Sequence, residues 1–231
     1  MRTALRTRGQ ATMSRVEALA EAQLGLLTRA QCLGLGMTPG AVTWMVHAHR
    51  WQRVHLGVYA THMGPLDWRA RVSAAVLYCG DGAVASHSTA ARLHGLVDQD
   101  PDCIDVLIPA NRRVTRPSQV SLATCADVAR RTAPSGWPTR TTVEDTVLDM
   151  AEHGDADDAI AWLSKACQRR RTTPARLAQA LDKRARHRWR GLVVDALTDG
   201  AAGVEVGLEC RECRGVGRRA APPRGRRQPH G

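Results

Sequence analysis

A chain of 231 residues with 43% hydrophobic content is long enough to bury a core and to divide into two domains. No apolar run approaches the roughly 20 residues of a membrane span, and the basic start MRTALRTRGQATMSR lacks the apolar stretch of a signal peptide, so a cytoplasmic protein is expected. The net charge of +11 is unevenly placed: residues 1–100 carry +4, residues 101–164 carry −4 and residues 165–231 carry +11. Apart from Lys165 and Lys183 every cation is Arg, whose planar fork suits phosphate and guanine, although an Ala-, Arg- and Gly-rich composition also follows from a GC-rich genome. There is no Phe, so six Trp with Leu and Val must supply core bulk. Seven scattered cysteines exclude a secreted disulfide framework. Cys210 and Cys213 form a CxxC with no second pair to complete a zinc site, and most of the others read as small buried hydrophobes.

Residues 1–13 read as a flexible leader, with Met13 as an alternative start. Ser14, with Glu17 three residues on, is the expected N-cap of a helix striped by Val16, Leu19 and Ala20 and stopped by Gly25. Thr28 caps a second helix, Arg29 to Leu35, which Gly36 ends. Thr38-Pro39 starts a third that runs to about Arg50. Its apolar face is Val42, Met45 and Val46, and Thr43, His47 and Arg50 share another face. Trp51 to Tyr59 alternates like a hairpin around Gly57. Three helices followed by a small hairpin is the order of a winged helix-turn-helix, placed at residues 14–62. In such a module the last helix enters a DNA groove.

Residues 63–200 read as a small mixed α/β domain with C-terminal helices. Asp67 caps a helix to Tyr78 with Trp68, Val72, Ala75 and Val76 inward. Ala83 to Ser86 is a short strand and Ser88 to Leu93 a short helix. Cys103 to Ile108 is the clearest strand, Asn111 to Arg113 a turn, and Val120 to Ala123 a candidate partner strand. Helices follow at Val143 to Ala151, Asp155 to Arg170, Pro174 to about Arg184, and Trp189 to Thr198. Within residues 201–231 the pattern fails beyond Gly215, and the final stretch, GRRAAPPRGRRQPHG, has no apolar face and reads as a disordered basic tail. The expected class is α+β, helix-rich.

Ser86, His87, Ser88 and His94 invite a hydrolase or metal reading, but neither GxSxG nor HExxH is present. Glu144, Asp145 and Asp149 share one helix, with the first two early in it, where negative charge is favoured. Asp155, Asp157 and Asp158 read as a solvated helix start. Neither GxxxxGK[ST] nor GxGxxG occurs. No catalytic residue, metal ligand or cofactor is expected.

The order GLLTRAQCLGLGMTPGAV…RWQRVHLGVYA, spanning Leu19 to Ala60, resembles the N-terminal winged helix of the AbiEi-like antitoxin family of type IV toxin–antitoxin systems. The resemblance implies an operator-binding module that represses its own operon, with antitoxin activity in a separate C-terminal region. It makes Pro39 to Arg50 the recognition helix. Arg29, Thr38, Thr43, His47 and Arg50 would face the groove of double-stranded DNA, with Arg53 and His55 on the wing. The helix is only weakly basic, having Thr43, Trp44 and His47 where many relatives carry cations. The segments SHSTAA at 86–91 and TTVEDTVLD at 141–149 resemble the middle region of proteins that join this module to a Vsr-like, restriction-endonuclease-fold domain. GVEVGLECRECRGVG then resembles the start of that domain, with Glu209 as its early acid, while the later Asp and ExK strands do not follow. The first reading is an autorepressing, antitoxin-like DNA-binding regulator with a cognate toxin as a further partner. The alternatives are a non-catalytic remnant or subunit of a Vsr-like endonuclease, and a protein-interaction module that neutralises a toxin.

Overall fold

Thr28 and Thr38 each set an oxygen over a helix start, and these two caps lay out the N-terminal unit. The computed structural model describes residues 2–202, and the side chains of residues 9–199. Its first elements are α1 (Arg2–Ala22), β1 (Leu26–Thr28), α2 (Arg29–Gly34), α3 (Pro39–His47), β2 (Gln52–His55) and β3 (Val58–Ala60). The strands form one antiparallel sheet of order β1-β3-β2. Residues 2–13, expected as a flexible leader, belong to α1, and Ser14 lies inside that helix rather than at its cap. Residues 203–231, with Glu209, Cys210, Cys213 and the basic tail, lie outside the described residues.

The helix α3 also stops early. His49 takes a left-handed φ of 51°, its N–H donates to Val46 O at 3.1 Å, and Arg50 N–H donates to Met45 O at 3.0 Å. This is a Schellman closure with His where Gly is usual. Arg50, expected on the last helical turn, therefore lies beyond the helix.

Alternation along the strands gives the sheet two buried faces. Leu27 and Tyr59 join Val16, Cys32, Val42 and Trp51 under α1–α3. Leu26, Val58 and Ala60 point the other way, onto Ala70 and Ala74 of α4 (Trp68–Cys79). The opposite side of α4, with Val72, Ala75, Val76 and Cys79, packs on a second sheet through Ile104, Val106 and Ile108. Two apolar faces leave only Arg69 and Arg71 of α4 exposed.

That second sheet has the order β4-β5-β6, from β4 (Val84–Ala85), β5 (Ile104–Pro109) and β6 (Val120–Cys125). The expected pairing of the 103–108 and 120–123 segments is present, and it is parallel, from Ile104↔Val120 to Pro109↔Cys125. Around it lie α5 (His87–Leu93), α6 (Val128–Arg131), α7 (Val143–His153), α8 (Ala156–Gln168), α9 (Pro174–Asp182) and α10 (Arg190–Ala202). Leu96, Leu148, Leu163, Leu177, Leu181 and Val193 make the helical core. The fold is α+β.

One buried hydroxyl joins the halves. Ser73 of α4 is fully buried; its Oγ donates to Gln23 O at 3.1 Å and accepts from Trp137 Nε1–H at 2.8 Å. Ser73→Ala strands both partners, and leaving a buried polar group unsatisfied costs about 1–3 kcal/mol. Urea unfolding should show a loss of roughly 2 kcal/mol for Ser73→Ala; a midpoint equal to the parent's would show that this link carries no stability.

Candidate nucleic-acid interface

The helix α2 is fixed at its first residue. Thr28 Oγ1 accepts from Gln31 N–H at 3.1 Å while Gln31 Oε1 accepts from Thr28 N–H at 2.8 Å, a complete capping box. The Gln31 side-chain amide also pairs with that of buried Gln23. Arg29 N–H donates to Gly57 O at 2.8 Å, so the start of α2 is tied to the β2–β3 turn. That turn is Leu56-Gly57, with Gly57 at φ 75°, a conformation that costs other residues about 1–2 kcal/mol.

At α3, Thr38 Oγ1 accepts from Ala41 N–H at 3.1 Å and Thr43 Oγ1 donates to Pro39 O at 3.0 Å. Thr38 thus caps the helix, and Thr43 keeps acceptor capacity toward solvent. Thr43, Trp44 and His47 form the exposed face. Trp44 is 58% exposed, and the Arg50 guanidinium lies 5.9 Å from its ring centroid. Arg29, Arg50 and Arg53 are exposed, and among the described residues none is ion-paired. His55, on the hairpin, is half-buried with its ring 5.2 Å from that of Tyr78, and burial lowers its pKa. Leu56, a strand former by residue type, lies in the turn instead and is 80% exposed.

The serine–histidine segment lines a separate cleft of about 330 Å³ with Asp105, Ser121 and His153. Ser88 Oγ donates to Asp105 Oδ2 at 2.5 Å, and Ser86 Oγ lies 3.0 Å from His87 Nδ1. Ser86 is fully buried, so this hydroxyl is not presented to solvent. The rings of His87 and His153 meet edge to face at 4.7 Å. His94 faces elsewhere, its Nε2 2.8 Å from Thr141 O. Burial lowers the pKa of both His87 and His94. Among the described residues no three His, Cys, Asp or Glu side chains are placed to hold a metal ion. The two deepest thiols, Cys32 and Cys79, are pushed up to about 11 by burial and stay protonated.

Glu144, Asp145 and Asp149 are buried rather than solvated. Arg131 contacts both aspartates, Arg184 reaches Asp145 and Asp149 at 2.9 Å each, and Glu144 takes Thr172 Oγ1–H at 2.6 Å and Arg176 at 2.9 Å. Asp155 and Asp158 form a reciprocal capping box at the start of α8.

No protein-family model and no curated protein matches the chain. Among solved structures it is similar to the RV2827C protein from Mycobacterium tuberculosis, with a TM-score of 0.52 and 18% identity over 80% of this chain and 77% of that one. This likeness concerns the fold alone.

The buried histidines set a pH dependence. Burial depresses the folded pKa of His87 below its unfolded value, against smaller opposing effects of Asp149 and Asp105. The unfolded state therefore binds more protons as pH falls through about 6.5, and stability drops from there until the pH is below the folded pKa. The parent should lose more stability between pH 7 and pH 5 than His87→Asn, measured by urea midpoints. Asn tolerates the φ of 46° at this position. Parallel losses in the two proteins would refute the assignment.

Proposed function

We propose that this chain is a DNA-binding transcriptional regulator of the antitoxin type, with residues 14–62 acting as a winged helix on double-stranded DNA. The observation that carries the reading is the exposed face of α3, Thr43, Trp44 and His47, with the exposed Arg50 beside Trp44; Arg29, Arg50 and Arg53 have no carboxylate partner among the described residues. The helix–strand–helix–helix–hairpin order and the β1-β3-β2 sheet support it. In this reading α3 enters the major groove. Thr43 and His47 meet base edges, and Trp44 lies against a thymine methyl group. Arg50, held beside Trp44, serves guanine or phosphate. Arg29 and Thr38 at the helix starts, and Arg53 on the hairpin, contact the backbone.

The resemblance of Leu19 to Ala60 to AbiEi-like antitoxins adds autorepression of the operon, a cognate toxin as second partner and a cytoplasmic location. Among the described residues no helix is long and apolar enough to cross a membrane. The reading needs no cofactor and no catalytic step. A second reading, a protein-interaction surface, is favoured by the exposure of Trp44 and Leu56, since large apolar side chains anchor protein interfaces.

The test is binding of a duplex from the chain's own upstream region, by gel shift at fixed salt. Arg50→Ala with Arg53→Ala should weaken binding about tenfold or more and flatten the salt dependence by about two units of slope. Equal affinity for parent and double variant would defeat the reading, and toxin binding lost in Trp44→Ala with DNA binding unaffected would favour the second.

A further inference from the structure

The β1-β3-β2 sheet separates two sets of cations. Arg53 lies opposite Tyr59 in the β2–β3 ladder and so shares the face covered by α1–α3. On the other face, His55 rests on Tyr78 of α4, and Tyr78 Oη donates to Thr115 O at 3.1 Å. Thr115 belongs to the β5–β6 connection, residues 110–119, whose sequence ANRRVTRPSQ holds three arginines and no acid. Parallel strands usually need a helical crossover. Here the chain crosses as a loop, fixed at several points. Val114 packs on the core around β5, and Arg116 Nε donates to Val120 O at 2.7 Å. Arg112 lies across Gly80, a glycine at φ 81° where a Cβ would collide with the guanidinium. Arg113 and Arg116 are exposed, and among the described residues neither is paired with a carboxylate.

The geometry points to loop 110–119 as a second phosphate-binding element, with Arg113 and Arg116 holding the DNA backbone on the outer side of the hairpin while Arg53 holds the inner side. This rests on the winged-helix reading and extends it from one domain to two. A hairpin lying in a minor groove has a phosphate strand on each side; Arg53 stands on one face of the hairpin's sheet, and loop 110–119 is tied to the other through Thr115, Tyr78 and His55. The arginines Arg131 and Arg184, by contrast, are ion-paired. Arg113 makes no side-chain hydrogen bond among the described residues, and Arg116 commits only Nε, so both keep a free fork for phosphate.

The experiment compares the parent with Arg113→Ala/Arg116→Ala by fluorescence anisotropy on the upstream duplex and a scrambled one, across roughly 50–200 mM salt. Two lost phosphate contacts should flatten the slope of log affinity against log salt by about two and weaken binding about tenfold at low salt. The loss should be equal on both duplexes, because phosphate contacts carry no sequence information. Hydroxyl-radical footprints should lose protection only on the strand outside the hairpin, and Arg113→Lys/Arg116→Lys should keep most of the slope. Thermal melting unchanged from the parent checks that the loop variant is folded. If the parent binds with its full slope and footprint retained in the alanine variant, the loop proposal falls while the winged-helix reading stands. If the parent binds no duplex at any salt, both fall.

Discussion

Burial of α4 on both sides is the constraint on which the rest of the molecule depends. Two three-stranded sheets use one helix as a common wall. The sharing is possible because the face toward the N-terminal sheet is built from Ala70 and Ala74, which let the sheet approach closely, while Trp68, Val72 and Val76 fill the wider gap to the second sheet. Ser73 sits on the seam, where a hydroxyl can satisfy a carbonyl on one side and an indole N–H on the other. From Ser73 the polar contacts continue through Gln23 and Gln31 to the backbone of Thr28. The start of α2, where Arg29 stands, is thus positioned by a chain of hydrogen bonds that reaches Trp137 in the other half. The N-terminal unit is not a bead on a flexible tether.

What the sequence made legible was mostly local chemistry. Thr28 with Gln31, Thr38 with Pro39, and Asp67 before Trp68 are caps whose partners lie within three residues, and each is where the pattern placed it. The 104–109 strand is an apolar run that only a buried strand position satisfies. The misreadings share a different cause. The acids of α7 looked like helix-start charges because their neutralising arginines, at 131, 176 and 184, come from other elements. The contact of His55 with Tyr78, 23 positions away on α4, was likewise beyond what a local pattern shows. The end of α3 was misplaced because His49 does a glycine's work in the left-handed region, a substitution that tertiary packing tolerates and propensity does not announce. The function of the α3 face stayed least legible, since exposure of Trp44 follows from what does not pack on it.

Charge shows the same division between local count and spatial outcome. The acidic 101–164 segment and the basic stretch after it are complementary, and Arg176 and Arg184 of that stretch pair with Glu144, Asp145 and Asp149. Arg131 and Arg184 are buried against Asp145 and Asp149. Removing one partner from such a buried pair costs about 3–5 kcal/mol, so these cations are not free to move to a ligand. The exposed arginines around α3, the hairpin and loop 110–119 carry no such constraint.

This bears on how the proposed regulator would discriminate sequences. Each phosphate contact adds salt-sensitive affinity without sequence preference, so a surface with few arginines gains little non-specific binding. A weakly basic recognition helix then has an advantage. With little electrostatic affinity for arbitrary duplex, a larger share of the binding free energy would come from Thr43, Trp44 and His47 against base edges. In the proposed complex, a thymine methyl group under the Trp44 indole, beside which Arg50 lies, would supply discrimination that salt does not erase. The mild charge that seems to weaken the case for DNA binding is, on this argument, what a selective rather than an adhesive reader requires.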